Sequence, residues 1–317
     1  MISHWDELEP SRKERGHIAA SWRALTGEAS LWVGVQRIDI EPGMWATPLH
    51  LEASEEEIFF VLSGTGASVQ RDGESEGAYA VGPDDCLVHL ALEHAHTLQA
   101  GDTGLSVLAF GERHYAANTL LPRAGVSWLG PTWVLEGAAD DHPWAREAAV
   151  GPPSSAETTS RPSRIVNAEE VEVSRREGAT VAHTSRDLGR AVGSLKTGLK
   201  LYEVDPGMLQ NPPHSHSAEE EIFVVLEGDG TLELWPHPRV GGERERHAVY
   251  AGCTVARPAG TGIAHSFLAG AEGLTLLAYG QRDPRDVTFY PRSNKLSIRG
   301  LGVIARLERL DYWDGED

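Results

Sequence analysis

Residues Pro212-Pro213-His214-Ser215-His216-Ser217-Ala218-Glu219-Glu220-Glu221-Ile222-Phe223-Val224-Val225-Leu226-Glu227-Gly228-Asp229-Gly230 set two histidines two positions apart, a glutamate beyond them, and then an apolar run closed by glycine. Successive side chains of an extended strand alternate faces, so His214 and His216 point the same way and can grip one ion. Glu221 opens the run Ile222 to Leu226, whose β-branched and aromatic content reads as a buried strand ending in a glycine turn. A hairpin is expected to fold this carboxylate back beside the imidazoles. The last arm is expected at His265, in the stretch Arg257-Pro258-Ala259-Gly260-Thr261-Gly262-Ile263-Ala264-His265, where proline and glycine make a turn that delivers a histidine into a following strand. Three neutral imidazoles and one carboxylate result, a donor set suited to first-row transition ions.

The chain says this twice. At an offset of 164, Glu41-Pro42-Gly43-Met44 aligns with Asp205-Pro206-Gly207-Met208, His50 with His214, Glu57 with Glu221, and Gly64 with Gly228. At an offset of 169, His96 aligns with His265, and Gly104 to Gly111 with Gly273 to Gly280. The five extra residues fit Trp235 to His247, which reads as a longer hairpin loop on the second repeat. The openings rhyme too, Ile2-Ser3-His4 against Ile165-Val166-Asn167. The first repeat departs at one position: His50, Glu52, Glu57 and His96 replace the second imidazole by a carboxylate. A divalent ion would keep one net positive charge on the second set and none on the first, so chemistry on an anionic oxygen substrate is expected in the second repeat. The first set is read either as a second metal site or as a barrel kept for packing or dimerisation.

The pattern Gly-x6-His-x-His-x4-Glu-x6-Gly, from Gly207 to Gly228, resembles the first motif of the cupin superfamily, and Pro258-Ala259-Gly260 followed by His265 resembles the second. Over nearly the whole chain the resemblance is to a bicupin. It implies an all-β fold of two tandem cupin barrels (double-stranded β-helix, jelly-roll) with few short helices. Residues 1–150 would form the N-terminal barrel, 151–164 a linker and 165–317 the C-terminal barrel. The composition of Gly151 to Ser163, small, polar and helix-breaking, reads independently as a linker. The best helix candidate is the short 140–150 region. The two barrels can also pack on each other and bury strands that would otherwise be edges.

Asp and Glu number 47 against 28 Lys and Arg, a net charge of −19, so nucleic acid and anionic membrane surfaces would be repelled. Nothing approaches the roughly 20 apolar residues of a membrane span, and the charged opening does not read as a signal peptide, so a cytoplasmic location is expected. Cys86 and Cys253 occupy nearly equivalent repeat positions, and each is expected to fill a slot in its own barrel. Glu55, Glu56, Glu219 and Glu220 read as solvated turn carboxylates, His89 and His94 as alternative ligands to His96 or, more simply, as surface residues or neighbours of the ligands, and Arg257 as an inward-pointing anion clamp or, more simply, a surface arginine at a strand end. The acidic tail from Asp311 is expected to dock its aromatics on the barrel.

The resemblance implies a range of activities: dioxygenases, decarboxylases, sugar isomerases, and binding or storage proteins. Our reading is a metal-binding bicupin with Fe, Mn, Ni or Zn, a dioxygenase-like oxidoreductase acting on a small anionic or enolisable substrate at the C-terminal site. Glu221 is the one candidate acid or base. The alternatives are a non-catalytic ligand-binding bicupin with structural metal and a metal-dependent isomerase or decarboxylase. Partners are limited to a small-molecule substrate or ligand, with homodimerisation expected from the resemblance alone.

Overall fold

The computed structural model describes the chain except residues 115, 130–141, 155–156, 238–239, 309 and 317. The runs that follow Glu57 and Glu221 lie in the central wall strands of two barrels, Glu57–Asp72 and Glu221–Pro236. Their glycines do not end them. Gly64 and Gly228 adopt φ of +82° and +77°, and a Cβ there would collide with the carbonyl oxygen of Gly104 or Gly273. Each marks a bulge at which the register slips and the strand bends on into the next part of the barrel wall.

Both faces of these strands are buried, which is why the apolar runs are unbroken rather than alternating. Phe59 and Val61 face the interior of the first barrel, and Phe223 and Val225 that of the second. Ile58 and Phe60, with Ile222 and Val224, face outward into one core shared by the barrels, where Phe110 and Tyr279 meet at 5.0 Å between ring centroids. The expected all-β fold of two tandem barrels is thus found, packed through a common apolar interface.

Each barrel is an eight-stranded antiparallel sheet, with a smaller sheet at its mouth. The edge strands are exchanged. Ile2–His4, at the start of the first repeat, pairs with Cys253–Arg257 of the second barrel, while Ile165–Asn167 pairs with Asp85–His89 of the first. Cys86 and Cys253 lie on these receiving strands, both buried and unbridged.

The period of two also decides the fate of the flanking carboxylates. Glu57 shares the inward face with Phe59, so Glu56 shares the outward face with Ile58 and enters the interface. Glu56 accepts hydrogen bonds from the Ser194 hydroxyl (2.6 Å), the Thr197 hydroxyl (2.5 Å) and the amides of Leu195 (2.7 Å) and Thr197 (3.1 Å). In the other direction Glu220 accepts from the amides of Leu31 (2.9 Å), Trp32 (2.8 Å) and Val33 (3.2 Å). Both carboxylates are 1% exposed, which overturns the solvated-turn reading. Glu219 is buried as well, held by Arg299 and by the amide of Asp283.

The helix forms over Pro143–Val150; residues 140 and 141 of the expected range lie outside the described residues. The longer loop lies between Pro236 and Glu245, where the first repeat turns between Asp72 and Ser75; its residues 238–239 lie outside the described residues. Of the expected linker, Arg161 is tied down: it makes a two-pronged ion pair with buried Asp85 at 2.8 and 2.6 Å. The tail does not dock: Tyr312 and Trp313 are 84% and 64% exposed and contact each other.

Candidate metal centres

The second cluster is assembled by backbone pairing rather than by the expected hairpin. His214 and His265 exchange amide-to-carbonyl bonds of 3.1 and 2.9 Å, Ser215–His216 pairs with Val287–Tyr290, and Glu221 begins the central strand. Three imidazoles then face one carboxylate oxygen. Glu221 Oε2 lies 3.0 Å from His265 Nε2, 3.3 Å from His216 Nε2 and 3.8 Å from His214 Nε2. Ligand atoms of His214, Glu221 and His265 all fall within 4.8 Å of one another; His216 joins through Glu221 and on its other side groups with Glu219 and Asp286.

The tautomers follow from the second nitrogens. His214 Nδ1 donates to the Pro212 carbonyl at 2.9 Å and His216 Nδ1 to Asp286 Oδ2 at 2.7 Å, which leaves each Nε2 lone pair aimed at the cluster. Asp286 is fully buried and accepts from the amides of Ser217 (3.1 Å), Ala218 (3.0 Å) and Glu219 (3.3 Å). Burial opposes its ionisation, but His216 and these amides hold its carboxyl well below the usual range. Nothing in the sequence pointed to Asp286, since the first repeat has Ala117 at the corresponding position.

The cluster attracts positive charge. Burial alone would lower His216, yet the charge of Glu221 and the bond to Asp286 push it up to about 10. His265, by contrast, is lowered to about 3 by burial, and burial also lowers His214. The Nε2 atoms of His216 and His265 and Oε2 of Glu221 are buried without a hydrogen-bond partner. Orphaned buried polar atoms converging on one point are costly, and a coordinated cation satisfies all of them at once. The donor set and its geometry fit a divalent ion.

The first cluster is more self-satisfied. His96 Nε2 bonds Glu57 Oε2 at 2.9 Å, with His50 Nε2 3.6 Å from the same oxygen, and His50, Glu57 and His96 form one compact group. Glu52 stays at its edge, 3.9 Å from His50, with both carboxylate oxygens 2.9 Å from the Thr119 hydroxyl. Burial and then the charge of Glu57 raise Glu52 to about 7; His50 rises to about 9 because Glu57 and Glu52 outweigh its burial.

The strand beside each cluster differs between the repeats. In register, His89 sits opposite Glu57 and Arg257 opposite Glu221. Neither is a surface residue. His89 is buried and stacks on His96 at 3.7 Å, and Arg257, 8% exposed, donates to the Ile263 carbonyl at 2.9 Å. His94 lies edge-on to His89. A cavity of about 1130 Å³ opens over the second cluster, reaching His214, His216 and Glu221. Among the described residues no helix is long and apolar enough to cross a membrane.

No protein-family model and no curated protein sequence matches this chain. Solved structures do. Oxalate decarboxylase from Bacillus subtilis at pH 4.6 superposes with a TM-score of 0.60 at 15% identity, covering 89% of this chain and 76% of its own. A point variant of that enzyme gives 0.61 at 17% identity, over 90% and 78%. A structure of the same enzyme concerned with its Mn(II) centres gives 0.60 at 15%, over 90% and 78%.

Proposed function

We propose, for a chain that has the bicupin fold, that it is a metal-dependent enzyme working in its second barrel, an oxidoreductase of the dioxygenase kind acting on a small anionic or enolisable compound. His214, His216, Glu221 and His265 are the proposed ligands of a divalent ion, one of Fe, Mn, Ni or Zn. The observation that carries this reading is the convergence of orphaned Nε2 and Oε2 atoms at the floor of an open cavity. When bound, such an ion supplies a Lewis acid for a substrate oxygen and, if redox-active, the route to chemistry with O₂. The chain's own part is to fix the imidazoles through Pro212 and Asp286, to keep one net positive charge at the floor, and to admit the substrate from one side. Glu221, whose carboxyl is held well below the usual range by His216 and His265 in spite of burial, is the proposed acid or base nearest the reacting atoms.

A second reading is a metal-dependent decarboxylase, favoured by the structural likeness to oxalate decarboxylase. Metal content per chain, measured on untagged protein purified without chelator, tests the shared premise. Oxygen uptake by the metal-loaded protein with catechols and diketones supports the first reading; carbon dioxide release without oxygen uptake supports the second. The absence of metal after anaerobic reconstitution with all four ions overturns both. His50, Glu52, Glu57 and His96 are proposed as a weaker metal group or a packing remnant, and loss of one metal equivalent in His50→Ala decides between them.

A further inference from the structure

The two barrels differ in what fills the space in front of the cluster. Sheet register gives the correspondence. Trp22 pairs with Ile38, which pairs with Val107; in the second barrel Ser185 pairs with Tyr202, which pairs with Leu276. Trp22 packs into the first barrel's core and against Trp144 of helix Pro143–Val150, at 5.8 Å between rings. Ser185 fills nothing comparable, and Trp313, which stands 169 positions after Trp144, is exposed in the tail. The second barrel keeps the volume that an indole and a helix occupy in the first, and its cavity of about 1130 Å³ runs over Ser185 and Tyr202 to the cluster.

The cations at this cavity are not equivalent. Arg190 and Lys200 share Asp187, at 3.8 and 3.9 Å, and Arg299 is paired with Glu219. Arg176 lies opposite His183 on strand Val173–Glu177, and among the described residues it has no carboxylate partner. It lines the same cavity as His183, Tyr202 and Tyr290, and Tyr290 in turn stacks over the proposed ligand His214 at 6.0 Å. A guanidinium that makes no ion pair among the described residues, in a cavity that Glu170 and Glu172 also line, offers a place for an anion.

We infer that the substrate is a bifunctional organic acid, with chelating oxygens at one end for the metal and a separate carboxylate at the other for Arg176, its body lying along Tyr290 and Tyr202. This rests on the metal site proposed above and narrows its substrate class. The chamber of about 1130 Å³ has room for a ring.

The test uses the metal-loaded full chain under anaerobic conditions, titrated calorimetrically with 3,4-dihydroxybenzoate and with catechol, which share the chelating end and differ in the remote carboxylate. In the unaltered protein the carboxylate is expected to improve affinity about tenfold or more, the scale of one charge-assisted contact. Arg176→Ala, at an exposed position, should erase that preference and leave catechol unchanged, while Arg176→Lys retains part of it. Ser185→Trp should weaken both compounds without changing metal content or melting temperature. Equal affinity for the two compounds, a preference that survives Arg176→Ala, or binding of neither by metal-loaded protein overturns the inference. A chain that takes up no metal fails the underlying site instead, and metal analysis separates the two results.

Discussion

Asp286 shows how much of the proposed second site depends on a side chain that is not one of its four proposed ligands. It fixes His216 through Nδ1 and is itself fixed by three amides and by the Thr288 hydroxyl at 3.2 Å. Asp286→Ala should therefore lower metal affinity about 10- to 100-fold while the other three proposed ligands remain, a loss read by competition with a chromophoric chelator. An unchanged affinity would mean that His216 is not a ligand. Glu56 is the corresponding residue of the interface. Glu56→Ala leaves several buried donors without an acceptor and should cost about 3–5 kcal/mol in urea unfolding; Glu56→Gln, which keeps one acceptor oxygen, should cost less. Burial would raise the Glu56 carboxyl, but Ser194, Thr197 and the loop amides hold it below its ordinary value. The stability it contributes is thus complete above a pH of about 4.3 and fades as pH falls through the depressed folded value. Glu56→Gln should flatten that acid limb. The histidines and Glu221 were legible because strand alternation and spacing constrain them together. Asp286 was not, because it lies 70 residues from His216 and has no repeat counterpart. Glu56 was misread because its burial comes from the other barrel, which no local pattern encodes.

Strand exchange is the main finding at the scale of elements. Ile2, Ser3 and His4 sit opposite Val255, Thr254 and Cys253, and the N-terminal amino group also reaches the Ala256 carbonyl at 3.3 Å. Deleting residues 2–4 removes an edge strand from the second barrel while leaving the first barrel's strand order intact. The expected cost is about 2–4 kcal/mol, from lost ladder bonds and the contact of Ile2 with the second core. Amide hydrogen exchange should accelerate over Cys253–Arg257 and stay unchanged over Asp85–His89; equal acceleration of both would count against a local role. The rhyme between Ile2 and Ile165 announced a repeat but not this pairing, because a three-residue strand fits either barrel equally well. The glycine-ended runs were likewise read as turns. Gly64 and Gly228 do carry positive φ, as a turn would, and only the long-range ladder to strands Ala95–Glu112 and Ile263–Gln281 reveals bulges within continuous strands.

At the scale of the molecule, the repeat made the two barrels countable from sequence, and the unbroken apolar runs carried the signal of a shared face. Alternation along one strand sends Phe59 to its own barrel and Phe60 to the common core. An interface built this way couples the barrels three times over: through the apolar cluster, through the reciprocal Glu56 and Glu220 contacts, and through the exchanged edge strands. Neither repeat closes its own sheet, so partial unfolding of one barrel exposes the core of the other and withdraws one of its strands. Differential scanning calorimetry should accordingly give a single transition with equal calorimetric and van't Hoff enthalpies, despite two barrels in 317 residues. Phe110→Ala opens a cavity at the contact with Tyr279, and a loss of about 3–5 kcal/mol is expected. Because Phe110 belongs to the first repeat, the discriminating readout is hydrogen exchange in the second: protection over Glu221–Pro236 should fall together with that over Glu57–Asp72. Two resolved transitions, or protection lost in the first barrel alone, would show that the barrels fold independently and that the exchanged strands are only a tether.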